Sequence, residues 1–385
     1  MYPTISHLIY DLFGINIPLP IQTFGFWVAI AFFMASWIIS IELKRKEIEG
    51  HIFSKKITIT VGNSLSIFEV IGSLLIGFAL GYKGFEAFFY YSELVENPQA
   101  FMLSTRGNLF GGIFLAIIYL YFKFLENKKT RLSVPKKISK IVHPYELTGN
   151  IIMIAAISGI IGAKIFHNLE NLNLFLADPI GEIMSFSGLT FYGGLIVGAI
   201  SVIIYTRKYN LSTTHLIDSA APALILAYGI GRIGCQMSGD GDWGIENLTP
   251  KPEWLSLMPD WMWSYKFPNN VINAGIPIDG CIGRFCHELE NPVWPTAFYE
   301  VIMSIIIFII LWSIRKKISI PGLIFCIYLI FNGVERLLIE QIRVNNKYDF
   351  LGGITQAEII SSLLIIIGMS GFIYLKKTQI KTIIK

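Results

Sequence analysis

The chain has 385 residues, of which 53% are hydrophobic and only 15% are charged, and its formal net charge is +4. A soluble domain carries about 25% charged residues, so this composition excludes an ordinary soluble globular protein. Apolar stretches of about 20 residues, the length that crosses roughly 30 Å of hydrocarbon, recur along the whole chain. Backbone groups inside a bilayer must be hydrogen bonded internally, so such stretches form helices. The sequence therefore predicts an all-α polytopic membrane protein.

Nine stretches are long and apolar enough to be transmembrane helices. The second and the sixth are the weakest, so the count of nine is uncertain by one. In chain order the nine are 24–43, 62–82, 108–124, 148–166, 189–206, 215–231, 297–313, 320–338 and 355–374.

Basic residues cluster after alternate predicted spans and so indicate a topology. With nine spans, all five clusters fall on the same side of the membrane, which the positive-inside rule assigns to the cytoplasm. The predicted N-terminus is then outside and the C-terminus cytoplasmic. The clusters lie at 44–46, 128–140, 207–208, 315–317 and 376–385.

The chain is predicted to be a single integral membrane domain over 1–385 that contains an internal repeat. We interpret 55–140 as an extra pair of spans that resembles the pair at 145–208, both running in the same direction. The alternative is that glycines, which let helices pack closely, produce a similar pattern in unrelated helices. The similar segments are 80–85 (LGYKGF) with 161–166 (IGAKIF), and 108–113 (NLFGGI) with 190–195 (TFYGGL).

The longest segment without a predicted span is 235–296, which the topology places outside. Its four tryptophans either lie along the membrane surface, where aromatic side chains prefer the headgroup level, or pack together as a small cap. A pair of cysteines in an oxidising compartment also predicts a disulfide, with two free thiols as the alternative. These residues are Trp254, Trp261, Trp263 and Trp294, and Cys281 and Cys286.

Polar residues gather at the predicted outer ends of several spans. Ionisable groups inside a membrane are costly and are functional candidates by default. The sixth span ends in a glycine-rich run around Arg232, and the eighth approaches the same interface with Arg336, Glu340 and Arg343. The fifth and seventh spans begin there, and Lys164 and His167 end the fourth. The sequence therefore predicts one polar site at the outer membrane face.

The residue types at this interface are suited to binding phosphate and moving protons. Arg232 and Arg336 can each direct two donors onto phosphate oxygens, and the glycines around Arg232 would let backbone N–H groups form an anion nest. Arg336, Glu340 and Arg343 share one helix face, where Glu340 either fixes the arginines or transfers protons. The alternative is a structural ladder of ion pairs.

Asp240 and Asp242 follow Arg232 in a Gly-Asp-Gly-Asp run, which is either functional or an ordinary polar turn. The sequence contains no P-loop, no HExxH and no basic–aromatic surface typical of nucleic-acid binding. Cysteines without paired histidines also argue against a zinc site.

The run 231–234 followed by 239–244 resembles the signature of the prolipoprotein diacylglyceryl transferase family. Further blocks agree in order, and the resemblance covers about 1–45 and 145–375, so that 55–140 would be an addition to that family's seven spans. These blocks are Phe24-Gly25, 191–196, Pro295-Thr296 with Tyr299-Glu300, and 336–343.

The resemblance implies an enzyme of the bacterial inner membrane whose active site faces the outer leaflet. It would transfer the diacylglyceryl group of phosphatidylglycerol to the lipobox cysteine thiol of prolipoproteins during lipoprotein maturation, and would release glycerol phosphate. It implies no metal and no organic cofactor. The expected partners are phosphatidylglycerol, prolipoprotein signal peptides and membrane lipids, with no nucleic acid. The competing hypotheses are a transport or binding protein for anionic phospholipid headgroups and a structural subunit.

Carried over by position, the resemblance implies two groups of site residues. The catalytic group is Arg232, Arg336, Glu340, Tyr192 and Asp240. The substrate-binding group is Gly231, Gly234, Cys235, Gly193, Gly194, Gly244, Asp242, Tyr299, Glu300, Arg343 and Phe24.

Three positions depart from the family pattern, which often has His at Tyr192, Tyr at Phe24 and Asn at Cys235. A neutral tyrosine is a poor base near pH 7, because its reference pKa is about 10. The proton acceptor for the thiol is therefore left open among Glu340, His167 and solvent, and the alternative is a variant with altered activity. As a hypothesis, Tyr192 donates a hydrogen bond to phosphate instead.

Overall fold

The computed structural model describes residues 1–184, 190–345, 347–348 and 353–384. It is mostly helical, with short strands only in the connections. The α-helices are α1 Ile5–Phe13, α2 Thr23–Ile48, α3 Ile67–Phe89, α4 Tyr91–Glu96, α5 Pro98–Leu103, α6 Leu109–Thr130, α7 Thr148–Glu170, α8 Leu172–Ala177, α9 Pro179–Met184, α10 Phe191–Arg207, α11 Thr213–Ser238, α12 Thr296–Ile314, α13 Leu323–Glu340 and α14 Gln356–Ile384.

Three pairs of short strands and three single 3₁₀ turns complete the described elements. The strands pair as β1 with β2, β3 with β4 and β5 with β6. They are β1 Lys55–Val61, β2 Lys136–Val142, β3 Ile276–Pro277, β4 His287–Glu288, β5 Lys347–Tyr348 and β6 Ile354–Thr355, and the 3₁₀ turns are Pro144–Leu147, Glu253–Leu255 and Asp260–Met262.

The predicted polytopic all-α membrane class is confirmed. Within the described residues a helix spans most of each of the nine predicted stretches. Seven of these helices are long and apolar enough to cross a membrane: α2, α3, α6, α7, α11, α12 and α14. The apolar part of α10 is shorter, and α13 carries Glu335, Arg336 and Glu340. Nine spans and the orientation of the chain stay predictions.

Several helices extend beyond the apolar stretches that predict them. The α2 helix continues through Arg45 and Lys46, and α6 continues through Lys128 and Lys129. Basic residues at a helix C-terminus interact favourably with the partial negative charge of the unpaired carbonyls. The helices therefore extend past the hydrocarbon where hydropathy alone would end them.

The chain forms two compact units. The first comprises Met1–Phe26, Lys56–Ile141 and Pro268–Glu288, and the second comprises Trp27–Lys55, Val142–Phe267 and Leu289–Lys385. The first unit contains the α3–α6 pair and the Cys281–Cys286 disulfide, which the C-x4-C spacing predicts.

Glycines set the contact between α3 and α6 in the first unit. A Cβ added to Gly81 would lie 2.1 Å from the carbonyl oxygen of Gly111, so the two backbones touch. In the second unit α7 and α10 meet in the same way, because a Cβ on Gly162 would lie 2.5 Å from the Gly193 oxygen. Such close approach is how small residues let helices associate in a membrane.

The connections inside the two pairs also correspond. Asn108 N donates to Tyr82 O at 2.8 Å, and Thr190 N donates to Ala163 O at 3.1 Å. Two six-residue helices lie between the long ones in each pair, α4 and α5 in one and α8 and α9 in the other. The residues that precede α5 and α9 have nearly identical φ and ψ, −143° and 80° against −144° and 79°. The shared geometry supports the proposed duplication.

The core of the second unit lies between α11, α12 and α13, where Ala221, Ile225, Ile307, Leu311 and Ile324 are buried together. Nearer the α11 C-terminus, Gly229 brings α11 against α12, because an added Cβ would lie 2.8 Å from the Ser304 Cβ. This contact aligns the C-terminal end of α11 with the N-terminal end of α12.

The α13 helix begins at a cap supplied by another helix. The Asp218 carboxylate of α11 accepts hydrogen bonds from Gly322 N at 2.7 Å and Phe325 N at 3.0 Å. Gly322 has a φ of 91°, a left-handed conformation that favours glycine. This cap fixes the start of α13 relative to α11, so the C-terminal ends of both helices are positioned by the same contact.

Candidate functional site

The site lies in the second unit, where the C-terminal turns of α11 and α13 meet the first turns of α12. Its centre is Glu300, a fully buried carboxylate on α12. Arg232 on α11 approaches it with Nε at 3.0 Å, and Arg336 on α13 with Nη1 at 3.4 Å. Arg343, just beyond α13, places Nη1 at 3.3 Å, and the Tyr228 hydroxyl donates at 2.8 Å. Three guanidinium groups therefore surround one carboxylate.

Two further carboxylates hold the outer sides of these arginines. Asp242 pairs with Arg232 through one oxygen and with Arg343 through the other. Glu340 pairs with Arg336 at 2.9 Å and accepts a hydrogen bond from Asn345 at 2.6 Å. Each arginine thus contacts two carboxylates, which fixes the direction of its planar donor group.

The arginines remain partly open to the surroundings although their carboxylate partner is not. The side chains of Arg232, Arg336 and Arg343 are 16%, 23% and 12% exposed, against 0% for Glu300. A guanidinium has five N–H donors, and each arginine uses two nitrogens in the contacts described above. Donors are left on each for an anionic ligand.

The chain that follows α11 reaches the arginines through a tight turn. Gly239 ends α11 with a φ of 64°, and Gly241 has a φ of 99°. Gly244 N then donates to Trp294 O at 2.8 Å, and Ile245 N donates to Ile342 O at 2.9 Å. A Cβ on Gly244 would lie 2.3 Å from that Ile342 oxygen, so only glycine fits. This turn carries Asp242 to its two arginines.

The predicted anion nest around Arg232 is wrong. The α11 helix continues to Ser238, seven residues beyond the predicted end of the sixth span, so Gly231, Gly234 and Cys235 are helical and their N–H groups point into the helix. The loop predicted to start at 235 accordingly starts at Gly239. Gly231 still leaves open space, since a Cβ there would meet nothing within 4 Å.

Asp240 differs from the other acids of the site because the ion pairs described above do not include it. Its carboxylate accepts hydrogen bonds from the Cys235 thiol and from Asp242 N, the latter at 3.3 Å. Burial raises the pKa of Asp240 above its ordinary value, and the nearby Asp242 charge raises it further. The carboxylate is therefore a stronger base than an exposed aspartate.

Cys235, Asp240 and Asp242 each place one potential metal ligand within 4.8 Å of the others. Both oxygens of Asp242 are already engaged by arginines, so the cluster lacks a free third ligand. The geometry fits an arginine-bound acid better than a metal centre.

Tyr192, at the start of α10, lies close enough to Arg336 and Glu340 to interact with both electrostatically. Tyr192 thus lies within electrostatic range of the arginine cluster. Tyr299 has a structural contact instead. Its hydroxyl donates to Met262 O at 2.8 Å and holds the connection between α11 and α12.

For other predicted residues the described contacts are with partners other than these arginines. Gly193 and Gly194 form the close contact of α10 with α7. Lys164 and His167 lie 3.9 and 4.0 Å from Glu182, and Phe24 belongs to the first unit.

Sequence reasoning missed Tyr228, whose ring lies 5.0 Å under the Arg232 guanidinium. Its position one helical turn before Arg232 is the signal that would have found it.

Comparison with known proteins matches the part of the chain that contains these residues. The family model described as prolipoprotein diacylglyceryl transferase matches residues 130–374, which excludes most of 55–140 and all of 1–45. A relative from Clostridium novyi (strain NT), named phosphatidylglycerol–prolipoprotein diacylglyceryl transferase, is 32% identical over 248 residues, 64% of this chain and 85% of the relative.

Relatives of the same name occur in other bacteria. One from Dehalococcoides mccartyi (strain 195) is 29% identical over 229 residues, 59% of this chain and 76% of the relative. One from Lysinibacillus sphaericus (strain C3-41) is 28% identical over 250 residues, covering 63% and 81%. The matched region includes α11, α12 and α13 with their arginines and carboxylates. The chain belongs to the prolipoprotein diacylglyceryl transferase family.

Proposed function

We propose that this protein transfers the diacylglyceryl group of phosphatidylglycerol to the lipobox cysteine thiol of a prolipoprotein. The sulfur forms a bond to the glycerol carbon that carries the phosphate, and the bond from that carbon to the phosphate oxygen breaks. Glycerol phosphate leaves with the electron pair, and the thiol proton passes to a base. The product is a thioether, with no net oxidation or reduction.

The observation that carries this proposal is the convergence of Arg232, Arg336 and Arg343 on one buried carboxylate. Phosphatidylglycerol has an anionic phosphodiester, and the leaving group gains negative charge as the carbon–oxygen bond breaks. Guanidinium groups held in fixed directions stabilise such charge without reorganising during the reaction. In this proposal the partly exposed donors of Arg232 and Arg336 bind the phosphate oxygens, and the carboxylates hold these donors in position.

Asp240 is the proton acceptor in this proposal. Asp242, Glu300 and Glu340 are each paired with arginine, so guanidinium donors already engage their oxygens. Asp240 pairs with no arginine in the described contacts, is only partly buried, and already accepts a hydrogen bond from a thiol, that of Cys235. An incoming substrate thiol could take the same position on this carboxylate.

Tyr192 acts as a hydrogen-bond donor in this proposal. Its place beside Arg336 and Glu340 would let the hydroxyl reach a phosphate bound at Arg336. This assigns to Tyr192 a role in binding and leaves proton transfer to Asp240.

The charge pattern of the sequence also supports a location and an orientation in the membrane. The protein would lie in the inner membrane with this site at the outer leaflet, where prolipoprotein signal peptides present their lipobox cysteine. The connection between α11 and α12 would be outside, and the α3–α6 pair would be a duplicated addition within one integral membrane domain.

The test is a mass-shift assay in which purified full-length protein, phosphatidylglycerol vesicles and a lipobox peptide are mixed. Wild type should add one diacylglyceryl unit to the peptide, and Arg232→Ala should abolish the shift. Arg232→Lys should also fail, because lysine cannot donate two parallel hydrogen bonds.

The matched control is Arg315→Ala. Arg315 is 12% exposed and pairs with a buried carboxylate, Glu42, at 2.7 Å, at the other end of α12. This variant should keep the activity per folded molecule. Lipid binding without any peptide shift in well-folded wild type would refute the enzyme and favour a phospholipid-binding protein.

A further inference from the structure

The connection between α11 and α12 contains a short projection, residues 252–259, that we call the finger. It runs from Pro252 to Pro259, and a 3₁₀ turn begins at Glu253 inside it. The finger belongs entirely to the second unit. Its sequence is unusual for an extramembrane turn, since Trp254, Leu257 and Met258 are all large and apolar.

The base of the finger is firmly attached to the first turns of α12. The Trp261 ring packs edge-on against Phe298 at 4.9 Å, and the Tyr299 hydroxyl donates to Met262 O at 2.8 Å. Trp263 packs against Trp294 at 4.6 Å and donates through Nε1 to Thr249 O at 3.0 Å. The two ends of the finger are thus held together on a packed aromatic cluster that we call the platform. It consists of Trp261, Trp263, Trp294, Phe298 and Tyr299.

The finger itself is also fixed from within. Lys251 Nζ donates to Met258 O at 2.7 Å and to the Asp260 carboxylate at 2.6 Å. The pairing links the residue before the finger with the residue after it. The residues at the tip of the finger, Trp254 and Leu257, therefore lie in a turn whose two ends are joined.

The tip differs sharply from the platform in its packing. Trp254 is 79% exposed and Leu257 is 96% exposed, whereas Trp261, Trp263 and Trp294 are packed on aromatic neighbours. Water-exposed tryptophan and leucine three residues apart form an apolar patch, and covering this patch lowers the free energy. The sequence offers two hypotheses for the tryptophans, a packed cap or a position along the membrane surface. Trp261, Trp263 and Trp294 fit the cap, whereas Trp254 fits the membrane surface.

The position of the platform identifies what covers the tip. Phe298 and Tyr299 lie in the first turn of α12, a membrane-spanning helix that begins at Thr296, so the platform lies at the level where that helix enters the bilayer. Leu257 precedes Trp261 by four residues, a reach of at most about 14 Å. Tryptophan is enriched in the headgroup layer at this level.

We propose that the finger inserts Trp254 and Leu257 into the headgroup layer of the bilayer beside the arginine site. The partner is thus the phospholipid surface itself. Because Gly244 pairs with Trp294 and Ile245 pairs with Ile342, the finger platform is continuous with the turn that carries Asp242. Insertion holds the turn that carries Asp242 against the lipid layer from which a phospholipid would enter the site.

The test uses full-length protein in phosphatidylglycerol–phosphatidylcholine vesicles with an environment-sensitive fluorophore on Leu257→Cys. The matched control is the same label on Glu253→Cys, an exposed position in the same finger whose carboxylate favours water. Wild-type protein carried through the labelling measures any reaction at Cys235 and Cys326, which are buried.

The label at 257 should emit at shorter wavelength than the label at 253. It should be quenched several-fold more by lipids with a spin label near the headgroup, and several-fold less by aqueous iodide. Equal iodide access at both sites would overturn the proposal. So would a label at 257 that leaves water only when a lipobox peptide is added, because the finger would then be a peptide-docking element.

A functional variant gives a second measurement. Trp254→Asp combined with Leu257→Asp should lower the rate of peptide modification several-fold in vesicles. In detergent micelles, which present no extended surface, the rate should be close to wild type. A loss of the same size in both media would refute insertion, since it would place the defect in the site or the fold.

Discussion

Replacing Glu300 by glutamine should disable the site while its shape is retained. The change removes the one negative charge that Arg232, Arg336 and Arg343 share, at 3.0, 3.4 and 3.3 Å. Breaking a buried ion pair by removing one partner costs about 3–5 kcal/mol. Each arginine keeps a second carboxylate, so we expect the lower end, about 3 kcal/mol of folding stability. The three guanidinium groups also lose the contact that directs them, so we expect kcat/KM per folded molecule to fall roughly 100-fold, as when a preorganised donor to the transition state is removed.

Glu42→Gln provides the control because Glu42, on α2, is the same kind of group and pairs with Arg315 at the far end of α12. It is fully buried and pairs with Arg45 and Arg315, both at 2.7 Å. Arg315 follows Glu300 by 15 residues, about 22 Å along a helix. We expect both variants to lose similar stability in thermal unfolding, but only Glu300→Gln to lose kcat/KM per folded molecule.

The assay is the rate of peptide mass shift, normalised to the folded fraction measured for each variant. Wild-type kcat/KM in Glu300→Gln at equal folded fraction would show that the arginines are held by other contacts. An equal loss of kcat/KM in both variants would mean that global stability, and not the position of the guanidinium groups, limits the reaction.

Three further changes test separate parts of the site. In a pH–rate profile, wild-type kcat/KM should rise as pH passes the raised pKa of Asp240 and its carboxylate loses its proton; Asp240→Asn should flatten this limb and lower the rate about 100-fold, and an unchanged limb would exclude Asp240 as the base. Gly244→Ala, whose Cβ would lie 2.3 Å from Ile342 O, should cost about 1–3 kcal/mol in thermal unfolding. Gly231→Ala, with open space, should not, and equal melting temperatures would contradict this packing argument. Tyr192→Phe should reduce the peptide shift about 10-fold by removing one hydrogen bond, and an unchanged rate would exclude phosphate binding by its hydroxyl.

The gathering of Arg232, Arg336 and Arg343 could be predicted from sequence because helix direction and span length place the ends of spans at shared interfaces. The role of Glu300 as their common partner could not. A long apolar helix such as α12 is hydrophobic on all sides, so its sequence does not indicate which face meets α11 and α13. That rotation is set by tertiary contacts such as the one between Gly229 and Ser304.

Glycine-rich motifs were the least informative part of the sequence. Gly193 and Gly194 suggested a ligand site, and the structure places them in the contact of α10 with α7. Gly231 and Gly234 suggested a nest, and they lie inside α11. Small residues serve both close helix packing and ligand approach, so their presence alone does not separate the two uses. Gly244 could be assigned only once the strand-like pairing with Arg343 was visible.

The balance of charge in the arginine cluster bears on how the enzyme would turn over. Three guanidinium groups and the three carboxylates that they contact have formal charges that cancel. A phosphodiester would enter a site without excess positive charge, and we expect its binding to be only moderately tight. The departing glycerol phosphate carries more negative charge than the lipid, and the surrounding carboxylates would favour its release into water. Weak product retention of this kind would leave the site free for the next lipid.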